Sequence, residues 1–80
     1  MTFDLSTLYA ATGTAKLADL PEYESRVREL VPPGADVILT GPGPVWLYLR
    51  LAHLLHGHAR ILTYDSPVTG QVEIFNHNPL

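Results

Sequence analysis

The chain has 80 residues, a formal net charge of −3 and no cysteine. That length allows one domain, and zero cysteine excludes disulfides, thiol catalysis and cysteine-based zinc sites. The negative balance disfavours nonspecific binding to duplex nucleic acid, which draws mainly on Lys and Arg, yet backbone amides at a helix start can still hold a discrete anion.

The elements follow in chain order. The first residues include Asp4 and lack a basic region before an apolar stretch, so no signal peptide is expected. No run approaches the length of a membrane span, and the expectation is a soluble, cytoplasmic protein with no membrane partner. Phe3 to Ala11 is rich in Thr, Tyr and Leu and reads as a first strand. Thr12-Gly13-Thr14 is turn-like. Pro21 suits the first turn of a helix, in which Leu20, Tyr23, Val27 and Leu30 fall at helical spacing and Glu22/Arg26 forms an i,i+4 pair. Pro32-Pro33-Gly34 stops it. Val37-Ile38-Leu39 is a short apolar run bounded by turn residues, as in a buried strand.

Gly41-Pro42-Gly43 forms the next loop, and Pro44 opens a second helix with Val45, Tyr48, Leu49, Ala52, Leu55 and His56 along one face. Gly57 ends that helix. Arg60 to Tyr64 is a third strand, Ser66 to Gly70 a turn, and Gln71 to Phe75 a fourth strand. The expected fold is α+β: a small β-α-β-α-β-β domain, with a four-stranded mixed sheet and two helices on one face. Strands three and four form a hairpin, and Val37 to Tyr64 a parallel βαβ crossover. A domain this small buries only roughly 60% of its unfolded surface. With Trp46 and an apolar second helix to cover, it is expected to form a homodimer or homotetramer.

Two groups of residues carry candidate chemistry. Gly41 to Pro44 lies between a strand and a helix start. It reads either as a phosphate cradle, with glycine admitting a close ligand and N–H groups unpaired, or as a tight connection that Gly and Pro merely punctuate. His53 and His56 are three apart and share a helix face. With Asp65, expected to follow a strand returning beside the helix's C-terminal end, they supply two nitrogens and a carboxylate, suited to a manganese- or zinc-type ion or to acid–base work. The plainer reading is that the histidines favour the helix C-terminus and Asp65 starts a turn. His58 is expected to face solvent, and His77 is a weaker candidate. Trp46 and Tyr48 serve either as base-stacking platforms or as core. Arg50 and Arg60 are expected on the surface, available to a phosphate only across a subunit interface.

Residues 37–48, reading Val-Ile-Leu-Thr-Gly-Pro-Gly-Pro-Val-Trp-Leu-Tyr, resemble a block of the third family of CRISPR ring nucleases, the Csx-three family. Ala52-His53-Leu54-Leu55-His56, Leu62-Thr63-Tyr64-Asp65 and Val72 to His77 are similar to the family's following helix end and two strands. The resemblance spans residues 36 to 77. It implies binding of cyclic tetra-adenylate, the second messenger of type III CRISPR defence, and manganese-assisted cleavage of its phosphodiester ring between stacked dimers. His56 and Asp65 would be catalytic, with His53, His56 and Asp65 as metal ligands. Gly41, Pro42, Gly43, Pro44 and Trp46 would contact the ligand. Two family arginines are replaced here, one by Pro42 and one in the Asp65-Ser66-Pro67 segment. Those losses fit an alternative function, a binding or sensing module without catalysis. A purely structural oligomeric protein is the third possibility.

Overall fold

The computed structural model describes residues 1–78. Four strands form one sheet in the order β1 (Thr2–Asp4), β2 (Asp36–Thr40), β3 (Ile61–Ser66) and β4 (Gly70–Asn76). β1 and β3 both run parallel to β2, and β4 is antiparallel to β3. Two helices, α1 (Leu20–Leu30) and α2 (Val45–His56), make the crossovers. This is the expected α+β arrangement. In register, Phe3 faces Leu39 and Val37 faces Leu62, so all four side chains share one sheet face. They join one buried cluster with Leu20, Tyr23 and Val27 of α1 and Leu47, Leu51 and Leu55 of α2. Both helices therefore cover that face.

Five local differences from the sequence reading have physical causes. The first strand ends at Asp4, and Leu5–Tyr9 is a 3₁₀ turn. Leu5 and Leu8, three apart, turn inward together at that spacing and are almost fully buried. The Asp4 carboxylate accepts from the Ser6 amide at 2.9 Å and its hydroxyl at 2.6 Å, which fixes the start of the turn. Just past the end of α1, Val31 takes the inward place expected of Leu30, which is 53% exposed. Arg26 donates to the Leu8 carbonyl at 3.0 Å, tying α1 to the 3₁₀ turn in place of the expected pairing with Glu22.

On α2 the buried stripe is Leu47, Leu51 and Leu55; of the expected face Leu55 is buried, Tyr48 and Ala52 are half-buried, and Val45, Leu49 and His56 are exposed. The helix is leucine-rich on more than one side, so periodicity fits two faces and tertiary packing selects one. Val45 and Leu49 remain exposed and, with Ile74 of β4, line one apolar strip, and Val72 is exposed on the same strand. Finally, β3 continues to Ser66, so Asp65 is a strand residue paired with Gln71 rather than the first residue after a strand. Among the described residues, no helix is long and apolar enough to cross a membrane.

Candidate functional site

A parallel βαβ unit sends its helix back antiparallel to the strands. The C-terminus of α2 therefore meets the start of β3, and its N-terminus lies by the end of β3. That geometry sorts the candidate residues into two ends.

At one end lies a cleft of about 590 Å³. One wall is Gly41, Pro42 and Gly43; Thr40, Tyr64 and Asp65 line the strand side. The loop is packed against the N-terminal segment. Gly41 sits at φ +107°, and a β-carbon there would lie 2.0 Å from Asp4 Oδ1. A β-carbon on Gly43 would lie 2.2 Å from Leu5 Cδ1. Both glycines are thus required by close approach, the first also by its backbone angle. The Tyr48 hydroxyl donates to the Gly41 carbonyl and the Tyr9 hydroxyl to the Pro42 carbonyl. Burial, reinforced by Tyr64, Asp4 and Tyr9, pushes the Tyr48 phenol up to about 12. Burial, then Asp4 and Tyr23, raises that of Tyr9. Both hydroxyls consequently keep the protons they donate. Pro44 precedes the first turn of α2, and no side chain caps that turn. The first amides of α2 thus lack side-chain partners.

Charge at this end is negative. Asp65 is the charged residue among those lining the cleft, Asp4 backs Gly41, and no Lys or Arg lines it among the described residues. Arg50 is paired with Glu24 at 3.2 Å. Arg60 grips Asp36 through two hydrogen bonds of 2.9 and 2.7 Å, holding that carboxyl below the usual carboxylate range. Trp46, expected to contact ligand, packs partly buried against the core and is outside the cleft lining.

The histidines occupy the other end. His56 closes α2 and packs edge-on against Phe75 and His77, with ring centroids 5.2 and 4.7 Å apart. The His77 amide donates to the Arg60 carbonyl at 2.8 Å, which brings the chain after β4 back across the start of β3. His56, His77 and His53 are exposed. His58, expected in solvent, is half-buried and bonds through Nε2 to the Val31 carbonyl, joining the α2–β3 connection to the end of α1.

Phe75 faces Leu62 across the β3–β4 ladder. Asp65 lies three residues further along β3, about 10 Å at the rise of an extended strand. One protomer therefore does not join His56 to Asp65, because β3 runs away from the helix end rather than toward it. Among the described residues, no three His, Cys, Asp or Glu side chains gather as a cation site. His53, His56 and Asp65 are too far apart to hold one metal ion together within a protomer. What the fold assembles instead is the His56–His77 pair. Its sequence signal was a histidine just after a strand that hairpins onto the strand beginning beside α2.

The chain is thus a small α+β protein with a glycine-walled cleft at one end of its βαβ unit and an imidazole pair at the other. Comparison of the sequence with protein families gives a match over residues 13–80 to the family described as CRISPR-associated protein (Cas_csx3), and the chain belongs to that family. It is also similar to an uncharacterized protein of Aquifex aeolicus (strain VF5), 37% identical over 43 residues; the match covers 54% of this chain and 39% of that protein. No solved structure gives a significant match.

Proposed function

We propose that this protein binds cyclic tetra-adenylate and cleaves its phosphodiester ring, as a ring nuclease of type III CRISPR defence. The observation that carries the chemistry is the exposed His56–His77 pair, with ring centroids 4.7 Å apart. Imidazole is the side chain best suited to proton transfer near neutral pH. A cut at a phosphodiester needs a base to take a proton from the attacking oxygen and an acid to supply one to the leaving oxygen. Two adjacent imidazoles meet both needs, with the roles of acid and base divided between His56 and His77. Asp65 acts from the cleft end, which requires a second protomer. A head-to-tail stack, with ligand between the cleft of one protomer and the histidines of the next, supplies that arrangement. The apolar strip of Val45, Leu49 and Ile74 supports self-association.

The test follows binding and products separately, with labelled cyclic tetra-adenylate, with and without manganese. Linear adenylate products are expected; binding without products would favour the sensing module, and neither would end this reading. Sedimentation is expected to show a dimer or tetramer at micromolar concentration, and a monomer would remove the stacked arrangement.

The lack of Lys or Arg lining the cleft among the described residues supports the binding-module alternative. Pro42 is exposed on the cleft wall. Pro42→Arg is expected to tighten cyclic tetra-adenylate binding and steepen its logarithmic salt dependence by about 0.7, the value of one added phosphate contact on a single strand. Dissociation constants at two salt concentrations for both proteins decide this. An unchanged affinity and slope would place the phosphates away from Pro42.

A further inference from the structure

The carbonyls of Gly41 and Pro42 lie four residues before Val45 and Trp46, whose amides would take them if the helix began earlier. Pro44 is extended, at ψ 152°, and starts the helix only at Val45. Pro42 and Pro44 also bring no N–H of their own to the loop. The loop is held instead by two phenols arriving from different parts of the chain. Tyr48 comes from the first turns of α2 and reaches back to Gly41. Tyr9 comes from the end of the N-terminal 3₁₀ turn and reaches across to Pro42. Tyr9 also lies outside residues 13–80, where the chain matches its family. Each ring is itself packed: Tyr48 edge-on to Tyr64 at 5.0 Å, and Tyr9 tilted on Tyr23 at 6.3 Å.

We infer that Tyr9 and Tyr48 are positioning residues of the cleft, whose hydroxyls hold the Gly41–Gly43 wall in the shape that receives the cyclic oligoadenylate. The choice of ligand rests on the proposed function; the holding of the wall does not. Tyr48 lines the cleft with its ring, while Tyr9 acts from behind the wall, so the two hydroxyls clamp adjacent carbonyls from separate supports. A hydroxyl lost from either side leaves one carbonyl without its donor and frees one peptide plane of the wall.

Tyr9→Phe, Tyr48→Phe and the double variant keep the rings and remove only the donors. In the protein alone, amide hydrogen exchange at Leu47 and Tyr48, whose amides donate to the Pro44 carbonyl where the loop enters α2, is expected to quicken about fivefold in each single variant and more in the double, the worth of one hydrogen bond each. Core amides such as those of Leu51 and Leu62 are expected to keep more of their protection than these two do. The dissociation constant for cyclic tetra-adenylate, measured by titration calorimetry, is expected to rise by a similar factor, with the loss falling on affinity more than on the rate at saturating ligand. Unchanged exchange at those two amides in the double variant overturns the inference. Faster exchange there with wild-type affinity also overturns it, since the hydroxyls would then serve the fold and not the site. If the wild-type protein binds no cyclic tetra-adenylate, the proposed function fails, and the exchange measurement alone decides whether the hydroxyls hold the wall.

Discussion

His56→Ala is expected to slow cyclic tetra-adenylate cleavage by roughly 100-fold or more, the usual contribution of a positioned general acid or base. The variant should fold normally. His56 is exposed in the last turn of α2, and its neighbours Phe75 and His77 also lie at the surface end of the sheet. Its removal opens no core cavity, so a lost rate can be read as lost chemistry. His77→Ala should show a loss of the same kind, because its ring is 4.7 Å from that of His56. His53→Ala should show less, since no ring contact joins His53 to that pair among the described residues. Asp65→Ala discriminates between one-ended and two-ended sites. If both ends act, Asp65→Ala is inactive alone, yet mixing it with His56→Ala restores activity. A head-to-tail contact formed at random from the two variants carries both native side chains in about a quarter of cases. Recovery of about that fraction supports a site shared between protomers. If His56→Ala cuts at the wild-type rate, the acid–base assignment is wrong. If the mixture stays dead while each variant remains folded and oligomeric, the shared site is wrong.

The fold was largely legible in the sequence because its punctuation is strong. Pro21, Pro32-Pro33-Gly34, the Gly41–Pro44 loop and Gly57 each mark an element end, and all fall at or within a residue or two of the observed boundaries. The N-terminal segment was not legible. Its Thr, Tyr and Leu content suggested a strand, but Leu5 and Leu8, three apart, share a side in a 3₁₀ turn and not in a strand, and the Asp4 cap and packing beneath the glycine loop then fix the turn. The face of α2 was missed for a related reason: Leu47, Leu51 and Leu55 compete with Leu49 and Ala52 for the inward position, and only the sheet chooses. Within one protomer the histidines and the aspartate that the sequence singles out lie at opposite ends of the βαβ unit. Asp65 was expected to follow a strand returning beside the C-terminal end of α2, which suggested one centre with His56. The parallel crossover puts the start of β3, not its end, beside His56. His77 is drawn to His56 by the β3–β4 hairpin, a pairing that strand register alone determines. The cleft's tyrosine clamps left no sequence signal, since Tyr9 and Tyr48 are separated by the whole of α1 and β2.

Gly41→Ala is expected to be among the most destabilising single substitutions in the chain, at about 2–4 kcal/mol. Two costs add. A non-glycine residue at a positive φ costs about 1–2 kcal/mol, and Gly41 sits at φ +107°. The new methyl group would also lie 2.0 Å from Asp4 Oδ1, the oxygen that accepts both hydrogen bonds from Ser6. Moving that oxygen breaks a cap worth about 1 kcal/mol. Against a total stability of roughly 4–12 kcal/mol for a chain of this length, such a loss should lower Tm by about 10 °C or more. Two other glycines separate the terms. Gly70 has φ +76° with nothing within 4 Å of a β-carbon, so Gly70→Ala should carry the backbone cost alone. Gly57 has φ −96° and equally open space, so Gly57→Ala should be close to neutral. The contact term is isolated by a double-mutant cycle. In an Asp4→Ala background the oxygen is gone, and Gly41→Ala should cost about 1 kcal/mol less than in the native background. Thermal or urea unfolding of the three glycine-to-alanine variants, of Asp4→Ala and of the double variant checks the series. Equal losses at positions 41, 70 and 57, or a Gly41→Ala cost that is the same with and without Asp4, would show that the loop does not pack against the N-terminal turn, and the clamped wall of the cleft would lose its foundation.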